Sequence, residues 1–217
     1  ISIEQSNIFK MMQEHGFENY DDFWKWSVTN KETFWEATIH NLGIEFAQNY
    51  ASIIDISEGV ENAKWLKNAK LNIVDACFQN EDDSIAITFQ EEGQNLQKIT
   101  QKALLTLVNQ IANGLVELGL KKGDNIAIDM PMTVEAVAIY LAGIKAGLPI
   151  VTIADSFTPN EIEVRLKITK PALIFTQDVI KKGVKKLPLF QKIKDFIFYT
   201  TLLNTFIVRP SGHYEVS

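Results

Sequence analysis

Between residues 100 and 176, two hydrophobic patterns alternate. Leu104, Val108, Ile111, Leu115 and Leu118 recur at steps of four, three, four and three, which is one stripe of a helix. Thr100 stands at the N-cap position and Gly119 at the left-handed stop. Lys122-Gly123-Asp124 turns the chain into the run Asn125 to Met130, whose β-branched residues predict a strand ended by Pro131. The pattern then repeats. Thr133 caps a helix through Ala146 that Gly147 closes, and Pro149 to Ile153 is a nearly continuous apolar run, as expected for a strand covered on both faces. Thr158-Pro159-Asn160-Glu161 is a capping box with Pro at the first helical position, and Ile162 and Leu166 then face inward together. Leu173 to Thr176 is the third strand. Helix and strand alternating through short turns predict parallel strands joined by crossovers. The fold class is α/β, a helical lead followed by an incomplete parallel-sheet layered domain. The strands are too few to close a large sheet, so further layers are expected beyond residue 217.

The first 80 residues differ. They are rich in aromatics and poor in strand signals. Asn19 opens a helix holding Phe23, Trp24 and Trp26, with Asp21 and Asp22 in its first turn. Asn30 is the next N-cap and Gly43 its stop, with Trp35, Ile39 and Leu42 on one face between them. Trp65-Leu66 and Leu71 to Phe78 add apolar anchors. Aromatics at helical spacing read as the docking face of a helical segment; a stacking platform for sugars or bases is the other reading. Ala86 to Phe89 reads as a short strand and Glu91-Glu92-Gly93 as a turn.

Composition narrows the classes. Hydrophobic residues make up 46% and charged residues 22%, which excludes disordered, collagen-like and coiled-coil chains. Lys plus Arg is 21 against 27 Asp plus Glu, a net charge of −6 that argues against a nucleic-acid scaffold. A single cysteine, Cys77, allows no internal disulfide and is expected in the core or a buried helix. The apolar run Phe196 to Val208 is 13 residues, shorter than the roughly 20 needed for a membrane span. The chain opens on Ile1, shows no signal peptide, and closes on Glu215-Val216-Ser217, which is no peroxisomal address; it reads as a fragment.

Candidate chemistry sits where strands end, since ligands of open α/β sheets bind there. One such end is Asp129-Met130-Pro131-Met132, the other Ala154-Asp155-Ser156-Phe157. Asp155 and Ser156 lie between a strand and a helix N-terminus whose free N–H groups favour an anion such as a phosphate; alternatively Ser156 and Thr158 only cap the helix. Lys181-Lys182-Gly183-Val184-Lys185-Lys186 carries four positive charges in an acidic chain, either a phosphate contact or a solvated face. His15, His40 and His213 have no metal-ligand spacing, and no Gly-rich phosphate loop or Ser/His/Asp set occurs. No catalytic residue and no metal ligand is assigned.

These residues carry a family likeness. Asn109-Gln110-Ile111-Ala112-Asn113-Gly114-Leu115 leading into Gly119 to Ile128, with its Lys-Gly-Asp turn, resembles the early signature of AMP-forming acyl-CoA synthetases and related adenylating enzymes. Met130-Pro131-Met132, Glu135-Ala136-Val137-Ala138, Ala142 to Gly147, and Phe157 to Ile162 with Arg165-Leu166 continue it. Tyr20 to Trp26 and Phe34-Trp35 are similar to the N-terminal helical segment of acetyl-CoA synthetases. Ile126 to Met132 and Ile153 to Phe157 most resemble the plant peroxisomal acyl-activating enzymes.

The resemblance implies an acetyl-CoA-synthetase-like N-terminal segment over residues 1–80, the first part of the adenylating domain over 81–194, and an unmatched tail over 195–217. It implies a ligase of fatty acid metabolism using ATP, Mg²⁺ and CoA on a small carboxylic acid, in peroxisome or cytoplasm. It also implies that the turn Ala154, Asp155, Ser156 and Phe157, with Lys182 and Lys185, contacts the nucleotide end of CoA. The family's Ser/Thr/Gly-rich phosphate loop, its ribose-binding Asp and its catalytic Lys have no counterpart in these residues. Three expectations follow: an N-terminal part inactive alone, a non-catalytic domain binding CoA or a full-length partner, or a poorly folding remnant whose open sheet edge aggregates.

Overall fold

The structure is a computed structural model that describes residues 2–182, 185–199, 204–208 and 214–216, with side chains for 2–180 and 186–194. The chain divides into two compact units, Ile1–Leu71 and Asn72–Ser217.

The first unit opens with α1 (Asn7–Glu14), α2 (Tyr20–Thr29) and α3 (Lys31–Asn41). Ser6 caps α1 by accepting from Phe9 N–H, and Asn19 caps α2 by accepting from Asp22 N–H. Gly43 leaves α3 at φ +61°, the left-handed stop its sequence promised. Met11, Met12 and Phe23 form the centre of a small core, flanked by Phe17, Trp26, Phe34 and Ala37. The aromatics thus pack edge-on against one another, Phe17 to Phe23 at 5.7 Å and Trp26 to Phe34 at 6.0 Å between centroids. The expected face of Trp35, Ile39 and Leu42 is only partly buried, because Trp35 and Leu42 are exposed.

Strands do occur in this stretch, contrary to the sequence reading. β1 (Ser52–Asp55) pairs antiparallel with β2 (Lys64–Lys67). Each is four residues long and half polar, too short for alternation to register. Lys67 Nζ clasps the Asp55 carboxylate across the ladder at 2.6 Å, and that bond holds the Asp55 carboxyl well below the usual range.

The second unit starts at α4 (Ile73–Cys77), followed by the hairpin β3 (Ile85–Phe89) and β4 (Gln97–Thr100). Asn72 joins two elements. Its Oδ1 accepts from Val74 N–H to cap α4, while its Nδ2 donates to the last carbonyls of α6 (Val134–Lys145), Ile144 and Lys145. Val74 is fully buried, but Cys77 is exposed, not in the core as expected. In so short a helix only one side meets the body, and Val74 takes it.

Helix α5 (Gln101–Glu117) runs from the Thr100 cap to Gly119, as its pattern predicts. Leu104, Val108 and Leu115 are buried; Leu118, the last of the predicted stripe, is exposed. The chain then alternates through β5 (Ile126–Asp129), α6, β6 (Ile150–Ile153), α7 (Pro159–Thr169) and β7 (Leu173–Gln177). Beyond them come the hairpin β8 (Val179–Lys182) and β9 (Lys185–Pro188), α8 (Leu189–Tyr199), β10 (Asn204–Val208) and β11 (Tyr214–Val216). The main sheet has five strands in the order β11-β10-β7-β5-β6. β6, β5, β7 and β10 run parallel and β11 is antiparallel.

Side-chain alternation splits the core into two layers. Ile126 and Ile128 of β5 and Leu173 and Phe175 of β7 face α5 and α6. Ala127, Ile153 and Ile174 face α7 and α8 through Ile162, Leu166 and Ile193. Helices therefore cover both faces, and β5 is buried at all four residues. β6 was expected to be covered on both faces, but it is the sheet edge and Thr152 is exposed. Gly143 lets α6 settle close to the sheet, since a Cβ there would lie 2.7 Å from Ile126 Cδ1.

Thr133 Oγ1 accepts from Ala136 N–H at 3.2 Å and starts α6 against this core. Thr133→Ala should cost about 1 kcal/mol by leaving that N–H unpaired. Urea unfolding followed by circular dichroism checks it; a loss under about 0.3 kcal/mol would mean that the cap is dispensable.

Candidate functional site at the strand ends

β5 lies between β6 and β7, so the chain moves to one side of β5 and then crosses to the other. The carboxyl ends of these strands meet at that reversal, the usual ligand position of open α/β sheets. Register places Asp129 beside Ile153 on one side and Thr176 on the other. By alternation with Ala127 and Ile174, Asp129 and Thr176 belong to the α7/α8 face. Both are completely buried, the only two buried polar residues among those described.

The Asp129 carboxylate is an exposed-type group in a dry place. Neither of its oxygens has a hydrogen-bond partner. Loss of hydration pushes its pKa up to about 7; the Lys192 charge opposes the shift and the Asp155 charge adds to it.

Above this row lies the turn 154–157. Phe157 N–H donates to Ala154 C=O at 2.9 Å, which closes it. Three contacts fix the turn from outside. Lys192 Nζ, from α8, donates to Asp155 C=O at 2.6 Å and to Phe157 C=O at 3.1 Å. The Arg165 guanidinium sits 4.0 Å over the Phe157 ring. The capping box anchors the far end: the Glu161 carboxylate accepts Thr158 N–H at 2.8 Å and Thr158 O–H at 2.7 Å. These bonds, the backbone one first, hold the Glu161 carboxyl below the usual range.

The residues singled out by sequence are thus placed as follows. Ala154, Asp155, Ser156 and Phe157 form one turn, with Ala154 and Ser156 exposed and Asp155 and Phe157 half-buried. Of the two capping candidates, Thr158 is the cap. Lys182 and Lys185 face each other across the β8–β9 ladder, directly after β7; their side chains lie outside the described residues. Sequence reasoning missed Lys192 and Thr176. Asp129 carried a signal, an acid in the run Ile126-Ala127-Ile128-Asp129-Met130 at a position matching an inward Ala127. Lys192 carried none, being 35 and 37 residues from the carbonyls it holds.

Elsewhere, an open cleft of about 640 Å³ in the first unit is lined by His15, Glu36, His40 and Tyr50. Among the described residues no group of three His, Cys, Asp or Glu side chains is placed to hold a metal ion. No helix among the described residues is long and apolar enough to cross a membrane.

A doubly covered parallel sheet, with a helix-capped turn at the reversal of strand order, is an open α/β arrangement with a ligand position at its strand ends. The chain belongs to the AMP-binding enzymes: the family described as AMP-binding enzyme matches residues 74–204, and that described as acetyl-coenzyme A synthetase N-terminus matches residues 20–77. The probable acyl-activating enzyme 17, peroxisomal, of Arabidopsis thaliana is 37% identical over 210 residues, 88% of this chain and 29% of its own length. Hexanoyl-CoA synthase of Cannabis sativa is 33% identical over 212 residues, again 88% of this chain and 29% of its own. Acetoacetyl-CoA synthetase from Streptomyces lividans superposes with a TM-score of 0.89 at 22% identity, covering 97% of this chain and 34% of that one. The chain thus spans under a third of the length of these two plant relatives.

Proposed function

We propose that these residues are the N-terminal part of a ligase that joins a small carboxylic acid to CoA at the expense of ATP. A carboxylate is a poor acyl donor because its leaving group would be oxide. Attack on the α-phosphate of ATP makes it an acyl-adenylate with release of pyrophosphate, and the CoA thiol then displaces AMP. Substrate and product names of the relatives, hexanoyl-CoA and acetoacetyl-CoA among them, support a small acid. The Arabidopsis name supports a peroxisomal setting.

The part proposed for this chain is contact with the nucleotide end of CoA. One observation carries it: the turn 154–157 is pinned from three sides at the reversal of strand order, with Ala154 and Ser156 left open to solvent. Exposed backbone held rigid binds a ligand with little ordering cost. The basic hairpin that follows β7 supplies Lys182 and Lys185 for phosphate, as point charges without the fork of Arg.

The 217 residues alone are proposed to be inactive, since no phosphate-loop motif lies among them. The second reading, a non-catalytic domain that binds CoA or a full-length partner, rests on the same turn. Two assays separate them. The chain should give no ATP–pyrophosphate exchange with C2 to C8 acids, and fusion to the remaining two-thirds of a plant acyl-activating enzyme should yield acyl-CoA. Exchange by the chain alone refutes its inactivity, and a folded but inert fusion points to the non-catalytic reading.

A further inference from the structure

The turn 154–157 has a support that its own sequence does not supply. Lys192 comes from α8, next to Ile193, which is fully buried against Ile153, Ile162 and Ile174. Its aliphatic stem leads the ammonium inward, and two of the three ammonium protons go to carbonyls of the turn, Asp155 at 2.6 Å and Phe157 at 3.1 Å. A lysine bonding two carbonyls gains no charge partner from them.

We propose that Lys192 is a positioning residue, whose ammonium sets the conformation of the 154–157 turn. Three observations meet here. The two carbonyl bonds join α8 to a turn more than 30 residues away, so no local rule produces them. Asp129, completely buried with both oxygens unpaired, pairs in register with Ile153, the residue that leads into the turn. Finally, the turn bridges an edge strand and a helix cap, where the Phe157-to-Ala154 bond and contacts at Phe157 and Thr158 also hold it. The inference deepens the CoA reading, because the turn it fixes is the one assigned to CoA, but the turn's conformation can be measured without CoA.

The test is amide hydrogen exchange, resolved by residue, on the full chain and on Lys192→Met, which keeps the apolar stem and removes the charge. Exchange of the Phe157 amide should accelerate at least tenfold, while amides of Ile128 and Ile162 keep their protection. Lys192→Arg should restore Phe157 to within about threefold, since a guanidinium also reaches two carbonyls. Unchanged Phe157 exchange in Lys192→Met overturns the proposal, and so does uniform loss of protection together with failure of Arg to rescue. A reading on the unmutated protein guards against a variant that does not fold: the ¹⁵N signal of the Lys192 ammonium should show through-bond couplings to the Asp155 and Phe157 carbonyls, and rapid exchange with solvent contradicts the pinning. Titration with CoA in the same samples separates the two ideas. Weaker CoA binding in Lys192→Met, by fivefold or more, supports both. Loosening of the turn with CoA affinity unchanged supports the pinning and refutes the CoA contact.

Discussion

Asp129→Asn should make the second unit more stable at pH 8 than the wild-type chain and abolish its loss of stability between about pH 4 and pH 7. The unfolded carboxyl ionises near 3.8, whereas burial in the folded chain pushes it up to about 7. Between those values the folded state holds a proton that the unfolded state has released, so stability falls as pH rises through the window. Above pH 7 the folded state carries the full cost of a buried, unpaired carboxylate, up to about 4 kcal/mol, and below pH 4 none of it. Asn removes the ionisation but keeps a buried polar group with no partner, so the net gain at pH 8 should be roughly 1–3 kcal/mol. Amide exchange in β5 is the proper probe, because all four Trp residues lie in the first unit and fluorescence would report on that unit alone. A variant with the same pH slope as wild type would show that the carboxylate is solvated in solution.

The second large effect concerns Ile174. It is fully buried in β7, between β5 and β10, and packs with Ala127, Ile153, Ile162, Leu166 and Ile193. Ile174→Ala removes transfer energy and leaves a cavity among short strands with little room to collapse. The expected loss is about 2–5 kcal/mol, enough to threaten folding of a domain of ordinary stability. Ile168, on α7 and mostly exposed, is the control; its replacement by Ala should change stability by less than about 0.5 kcal/mol. Chemical denaturation of both variants decides it. Equal effects would mean that the α7/α8 layer is not packed as described.

Much of this arrangement was legible because local signals agreed with the global fold. Thr100, Thr133 and Thr158 each cap the helix their positions predict, and Gly119 and Gly147 each take a positive φ at the stop. Those five residues delimit α5 and α6 and start α7, and the apolar runs that follow the three helices' boundaries become β5, β6 and β7. Strand order was not legible. Periodicity gives Pro149 to Ile153 and Asn125 to Met130 the same character, yet only β5 is central, while β6 is the edge with Thr152 in solvent. Burial on both faces depends on neighbours far along the chain. Cys77 illustrates the same limit: its residue type favours the interior, but the one inward position of a five-residue helix belongs to Val74.

The candidate site divides along the same line. The turn 154–157 was visible because a strand run meets a capping box there. Its support from α8 was not, since Lys192 reaches it only through folding, and the hairpin carrying Lys182 and Lys185 shows in sequence merely as a basic run. The family match extends to residue 204, past the point where motif likeness fades, and β10 adds a further parallel strand beside β7. Strand pairing needs only extended apolar backbone, so it can persist where side-chain motifs do not.

The assignment to CoA chemistry stands or falls on the turn. The most direct measurement is a titration of the ¹⁵N-labelled chain with CoA, following the backbone amides of Ala154, Asp155, Ser156 and Phe157. These amides should shift together and saturably, with a smaller response to dephospho-CoA, while those of α2 and α3 stay in place. Amides at 154–157 that remain still at millimolar CoA in a folded sample would contradict the account.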